Sequence, residues 1–94
     1  MEEQARMELE IIAKKEAYTF YKNRLNELLE IKDTEIGQIY KKLKILKKAK
    51  KEQEYKVLKR KYDKEITRSR IIKEKIFILT EWLNELNTLL QRDE

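Results

Sequence analysis

Apolar residues recur at helical spacing through the second half of the chain. From Tyr55 onward the steps between them alternate between three and four residues, the heptad pattern of a helix that packs against other helices. We name this row of positions the seam; nine of its eleven residues are apolar, and the exceptions are Glu65 and Ser69. The full row is Tyr55, Leu58, Tyr62, Glu65, Ser69, Ile72, Ile76, Leu79, Leu83, Leu86 and Leu90. The pattern predicts one long helix over about residues 55–91.

The first half of the chain shows a looser pattern of the same kind. Its apolar positions are Ile11, Tyr18, Tyr21, Leu25, Leu29, Ile36, Ile39, Leu43 and Leu46. The step from Leu25 to Leu29 is four residues and directly follows another step of four, from Tyr21 to Leu25. Two such steps in succession predict a stutter, which locally unwinds a coiled coil. We expect a second helix over about residues 3–46 that carries this irregularity.

Three arrangements of the chain fit the scarcity of turn residues. Asp33-Thr34 before Gly37 forms a turn-like cluster, and a break there is the first option. A break near residues 47–54, where the seam fades, is the second. The third is a continuous helix, which would be roughly 140 Å long at 1.5 Å per residue.

The register of the two seams favours the second option. If the chain pairs antiparallel about residue 50, residues whose numbers add to about 101 meet, so that Leu43 faces Leu58 and Leu25 faces Ile76. We therefore predict a single all-α module over residues 1–94, a long-helix coiled coil or helical hairpin. The same contacts can form within one chain or between two swapped chains.

The segment 71–90 carries more apolar residues than a two-helix seam needs. Beyond the seam it offers Ile71, Phe77, Ile78, Trp82 and Leu89. A stripe of this width is typical of an oligomeric bundle of three or more helices, or of a core within one folded chain. The residues predicted to associate helices are Ile11, Tyr18, Leu25, Leu43, Leu58, Ile72, Ile76, Leu79, Leu83, Leu86 and Leu90.

Composition removes several classes of chemistry. The 94 residues include no Cys, His or Pro, so a disulfide, a Cys/His zinc site and a histidine general base are impossible. Carboxylates occur mainly beside lysines at helical spacing, which is typical of surface ion pairs. We predict no enzyme activity, no catalytic residue, no metal and no cofactor. The N-terminus lacks the order of a signal peptide and the longest apolar run is Ile76–Leu79. We therefore expect an intracellular protein, cytoplasmic or nuclear, without a membrane partner.

A lysine-rich stretch occupies the centre of the sequence. Residues 41–64 contain twelve Lys or Arg and three Asp or Glu, within a chain of net charge +5. On a single helix these cations surround the axis and form no stripe. Tyr40, Tyr55 and Tyr62 lie among them and can stack bases, although Tyr55 and Tyr62 are also seam positions. The residues predicted to contact an anionic partner are Lys47, Lys48, Lys50, Lys51, Lys59, Arg60 and Lys61.

These observations favour a non-enzymatic module for protein–protein association. Its expected partners are a second copy of itself, as a homodimer or higher oligomer, or another helical protein. The alternative is a basic helical binder of nucleic acid or ribonucleoprotein that uses residues 41–64.

Overall fold

The computed structural model describes residues 2–91 and contains two helices, α1 (Glu2–Lys48) and α2 (Glu52–Gln91). The prediction of an all-α chain is confirmed, and of the two arrangements that the antiparallel register allowed, hairpin or swapped helices, the chain forms the hairpin. α1 continues through Asp33-Thr34 and Gly37, so the break lies in the second of the three expected places. A Cβ atom added at Gly37 would meet no atom within 4 Å, so this glycine is not required by packing.

The turn between the helices is closed by backbone hydrogen bonds. The N–H of Lys51 donates to the carbonyl oxygen of Leu46 (3.1 Å), and the N–H of Lys50 donates to that of Lys47 (3.2 Å). This pair of bonds is a Schellman motif, in which the residue that ends the helix adopts a left-handed conformation. Lys50 takes that position with φ of 56°, although glycine is the usual occupant.

Helix dipoles also favour a break at this place. Lys47 and Lys48 lie in the last turn of α1, and Glu52 and Glu54 lie in the first turn of α2. Cations stabilise a helix C-terminus and anions a helix N-terminus, by about 0.3–1 kcal/mol each. Charge thus supports a turn that the sequence does not mark with Gly, Pro or Asn.

Contacts divide the chain into two units. The turn unit comprises Glu27–Lys73, in which the end of α1 and the start of α2 pack as an antiparallel hairpin. Its buried residues are Ile39, Leu43, Glu65 and Ser69. The rings of Tyr40 and Tyr62 lie 6.2 Å apart in this unit, in agreement with the expected register.

The terminal unit comprises residues 2–26 and 74–91 of the described chain. Leu25 and Leu79 are its buried residues. The rings of Tyr18 and Trp82 pack with centroids 5.5 Å apart, so here too the paired residue numbers add to about 101.

The prediction of a stutter in α1 is wrong. Tyr21 is 49% exposed, whereas Lys22 is partly buried and takes the place in the seam that we had assigned to Tyr21. With Lys22 included, the steps through Tyr18, Leu25 and Leu29 alternate regularly between four and three residues. A lysine can occupy a seam because its aliphatic stem packs against apolar neighbours while the amine reaches water.

Candidate functional site

The residues predicted to associate helices lie along the contact between α1 and α2. Three of them are buried, namely Leu25, Leu43 and Leu79. The others are partly buried: Ile11, Tyr18, Leu58, Ile72, Ile76, Leu83, Leu86 and Leu90. Among residues 2–91, no side chain of this or any other type is fully buried. The seam residues therefore hold the two helices of the hairpin together.

Two polar residues interrupt the seam in the turn unit, and both find partners on α1. Glu65, with a side chain 6% exposed, accepts hydrogen bonds from Lys32 Nζ (2.6 Å) and from Arg68 Nη1 (2.8 Å). The hydroxyl of Ser69 donates to Asp33 Oδ1 (3.0 Å). Each bond from α1 to α2 would be lost on a shift of register, so the polar pairs favour one alignment of the helices.

The ion pair changes the proton affinity of both its members. The hydrogen bond from Lys32, followed by the charge of that amine, lowers the pKa of the Glu65 carboxyl below its ordinary value. The same hydrogen bond raises the pKa of the Lys32 amine. Both shifts favour the charged forms, so the two groups stabilise each other as an ion pair at neutral pH.

Exposed apolar side chains occur on several sides of the terminal unit, and five of them lie on one side. In an antiparallel helix pair, equivalent positions that flank the seam lie on the same side of the pair. By helical spacing, Met7 and Tyr21 of α1 therefore lie on the same side as Ile78, Trp82 and Leu89 of α2. The contact of Trp82 with Tyr18 fits this placement. Trp82 is nevertheless 47% exposed, and the other four residues are also exposed. We name this surface the apolar face.

The opposite side of the terminal unit has a different character. The corresponding flanking positions there are Ile12, Thr19, Thr80 and Asn87. Apart from Ile12, these side chains are polar. Leu9 and Phe77 lie further from the seam on this opposite side and are exposed as well, so the apolar face is the more apolar of two sides that both expose apolar residues.

The cations predicted to contact an anionic partner are distributed around the turn unit. The exposed ones are Lys47, Lys48, Lys50, Lys51, Arg60 and Lys61. Lys59 is partly buried and donates to Asp63 Oδ1 (3.0 Å), a hydrogen bond that raises the pKa of its amine. Lys50 and Lys51 lie at the turn, and Lys61 borders an apolar groove beside Val57.

The hairpin also gathers residues that a single helix would separate. Tyr40, Lys44 and Lys47 of α1 and Tyr55, Lys59 and Tyr62 of α2 line one open cleft of about 310 Å³. We name it the tyrosine–lysine cleft. Sequence reasoning noticed the tyrosines but missed Lys44, because it considered the cations around one helix axis and not across two packed helices.

Neither described helix has a stretch that is long and apolar enough to cross a membrane. Within residues 2–91, no group of three or more His, Cys, Asp or Glu side chains is arranged to hold a metal ion. Comparison with known protein families, with curated proteins and with solved structures finds no match for this chain.

Proposed function

We propose that the chain is a non-enzymatic assembly module that pairs with a second copy of itself through the apolar face. The observation that carries this proposal is the set of five exposed apolar side chains on one side of the terminal unit: Met7, Tyr21, Ile78, Trp82 and Leu89. A single exposed apolar residue is ordinary, whereas a group on one side that contains Trp and Tyr is typical of an interface.

The accessible surface supports association. The chain exposes 8115 Å², whereas a compact monomer of its 11.6 kDa would expose about 5,800 Å². Two helices alone leave the outer sides of their seam residues in water. Packing a second helix pair on the apolar face would bury these side chains. Each large apolar side chain would then contribute about 1.5–3 kcal/mol to the free energy of association before entropy is subtracted.

One pair of charges on this side supports a second copy as the occupant. Lys14 lies beside the apolar face on α1, and Glu85 lies beside it on α2. If a two-fold axis runs parallel to the helices, α1 of one copy lies opposite α2 of the other at the same level. Lys14 then comes near the partner's Glu85, so opposite charges meet twice. The result is a four-helix bundle whose neighbouring helices are antiparallel.

Light scattering on the purified chain tests the proposal. We expect a mass twice the 11.6 kDa of one chain at micromolar concentration. Ile78→Glu with Leu89→Glu should give the monomer, because four carboxylates would be brought into the apolar interface. Ile12→Glu with Phe20→Glu is the matched control, since it makes the same change of charge in the terminal unit away from this face. A wild-type mass of one chain, or equal behaviour of the two double variants, would contradict self-association through the apolar face.

A further inference from the structure

The tyrosine–lysine cleft belongs to the turn unit and is independent of the apolar face. Its volume of about 310 Å³ is at the lower end for small-ligand sites. Leu43 also lines it. The cleft thus combines an apolar wall, aromatic rings and amines, which is the chemistry that holds a planar, negatively charged group.

The electrostatic setting attracts anions. Among the described residues that line the cleft, the charged ones are Lys44, Lys47 and Lys59. The turn unit as a whole has sixteen basic and eight acidic residues, a net charge of +8. Asp63 partly compensates Lys59 through the 3.0 Å hydrogen bond, so Lys44 and Lys47 contribute most of the local positive field.

The rings are placed where a base can reach them. Tyr40 is 48% exposed and its ring is tilted by 35° to that of Tyr62. The amine of Lys44 lies 4.7 Å from the centre of the Tyr40 ring, and that of Lys59 lies 4.9 Å from the centre of the Tyr62 ring. Cation–π contacts at exposed positions are weaker than base stacking, so a base can displace an amine, which then remains close enough to bind phosphate.

We propose that the tyrosine–lysine cleft binds single-stranded nucleic acid, with one base stacked on Tyr40 and the flanking phosphates held by Lys44 and Lys47. A paired duplex keeps its base faces covered and would use the lysines alone. An acidic protein surface would likewise leave the rings without a role. The tyrosines therefore favour single strands over both other anionic partners.

A labelled ten-nucleotide oligouridylate, followed by fluorescence anisotropy, tests the stacking contact. We expect Tyr40→Leu to weaken binding about tenfold, because stacking on an aromatic side chain is lost. Phe20→Leu is the matched control, since it removes an exposed aromatic side chain of the terminal unit that lies outside the apolar face, and we expect it to bind like the wild type. Circular dichroism verifies that both variants remain helical.

Two triple variants of equal net charge test whether the lysines of the cleft bind the oligonucleotide. They also test the proposal independently if Tyr40→Leu loses helicity. Replacing Lys44, Lys47 and Lys59 by Gln should weaken binding at least tenfold more than replacing Lys41, Lys48 and Lys64 by Gln. It should also lower the slope of log affinity against log salt by about 0.7 for each phosphate contact removed. Equal losses in the two triple variants would overturn the proposal. Competition by polyglutamate or by duplex as strong as that by the unlabelled oligouridylate would also overturn it, and so would absence of binding.

Discussion

Lys50 shows how a single residue can hide a turn from the sequence. Its left-handed backbone, with φ of 56°, closes the Schellman motif, yet lysine gives no sign of that conformation. A residue with a Cβ atom pays about 1–2 kcal/mol there, and glycine avoids most of that cost. The position of the turn was therefore predictable only as a range, from the fading of the seam.

We expect Lys50→Gly to raise the free energy of unfolding by about 1 kcal/mol, because the strain at the turn is relieved by more than the added entropy of the unfolded chain costs. Urea denaturation followed by circular dichroism, at fixed protein concentration, measures it. Lys51→Gly is the control and should not stabilise the chain, since Lys50 is the non-glycine residue with positive φ in the described chain.

Gly37 presents the opposite case, a glycine within a helix. A Cβ atom there would meet nothing within 4 Å, and glycine in a helix interior costs about 1 kcal/mol relative to alanine. Gly37→Ala should therefore raise the free energy of unfolding by about that amount, measured in the same way. A loss of stability would show that the chain needs the glycine for a contact absent from the isolated hairpin.

Glu65 makes stability depend on pH. The hydrogen bond from Lys32 lowers the pKa of Glu65 in the folded state. The ion pair therefore adds to the free energy of unfolding above the ordinary pKa of 4.5, and this stabilisation is lost as pH falls through the lowered pKa. We expect Glu65→Gln to lower the urea midpoint at pH 7 and to differ less from the wild type near pH 3. Glu30→Gln removes an exposed carboxylate from the same unit and gives the baseline for losing one negative charge.

At the scale of the helices, the regular heptad in α2 predicted the pairing register, whereas the seam of α1 was misassigned at one step. Hydrophobicity favours Tyr21 over Lys22 as a seam residue. The alternation of steps favours Lys22, because the step of three from Lys22 to Leu25 is followed by the step of four to Leu29. Polar seam residues such as Lys22 and Glu65 are invisible to a search for apolar positions, even though they occupy the contact.

Lys22→Leu tests this assignment. We expect it to raise the free energy of unfolding by about 1 kcal/mol, because a partly buried leucine replaces a lysine whose amine must reach water. Lys64→Leu, a change of the same chemistry at an exposed position of α2 in the turn unit, is the control for helix propensity. Equal effects of the two changes would mean that Lys22 lies outside the seam.

At the scale of the whole molecule, composition and periodicity predicted an all-α chain with antiparallel pairing about residue 50, but they could not separate a hairpin from swapped helices or predict the surfaces. The apolar face can be predicted only if it is known which sides of α1 and α2 lie together. The tyrosine–lysine cleft can be predicted only if it is known that Lys44 of one helix and Lys59 of the other line the same cleft. Both depend on the pairing of two helices, which a pattern along one helix does not contain. The wide stripe at 71–90 nevertheless indicated a surplus of apolar residues, and the exposed Trp82 belongs to it.

Self-association predicts that thermal stability depends on concentration. When folding is coupled to dimerisation, a hundredfold increase in chain concentration adds about 2.7 kcal/mol per dimer. With an unfolding entropy of about 2.1 cal/mol/K per residue for two chains, Tm should rise by roughly 7 °C. Circular dichroism melts over that range measure it. Ile78→Glu with Leu89→Glu should remove the dependence, whereas Ile12→Glu with Phe20→Glu should retain it. A wild-type Tm that is constant over the range would show that the hairpin is stable alone and that its apolar face is not buried by a second copy.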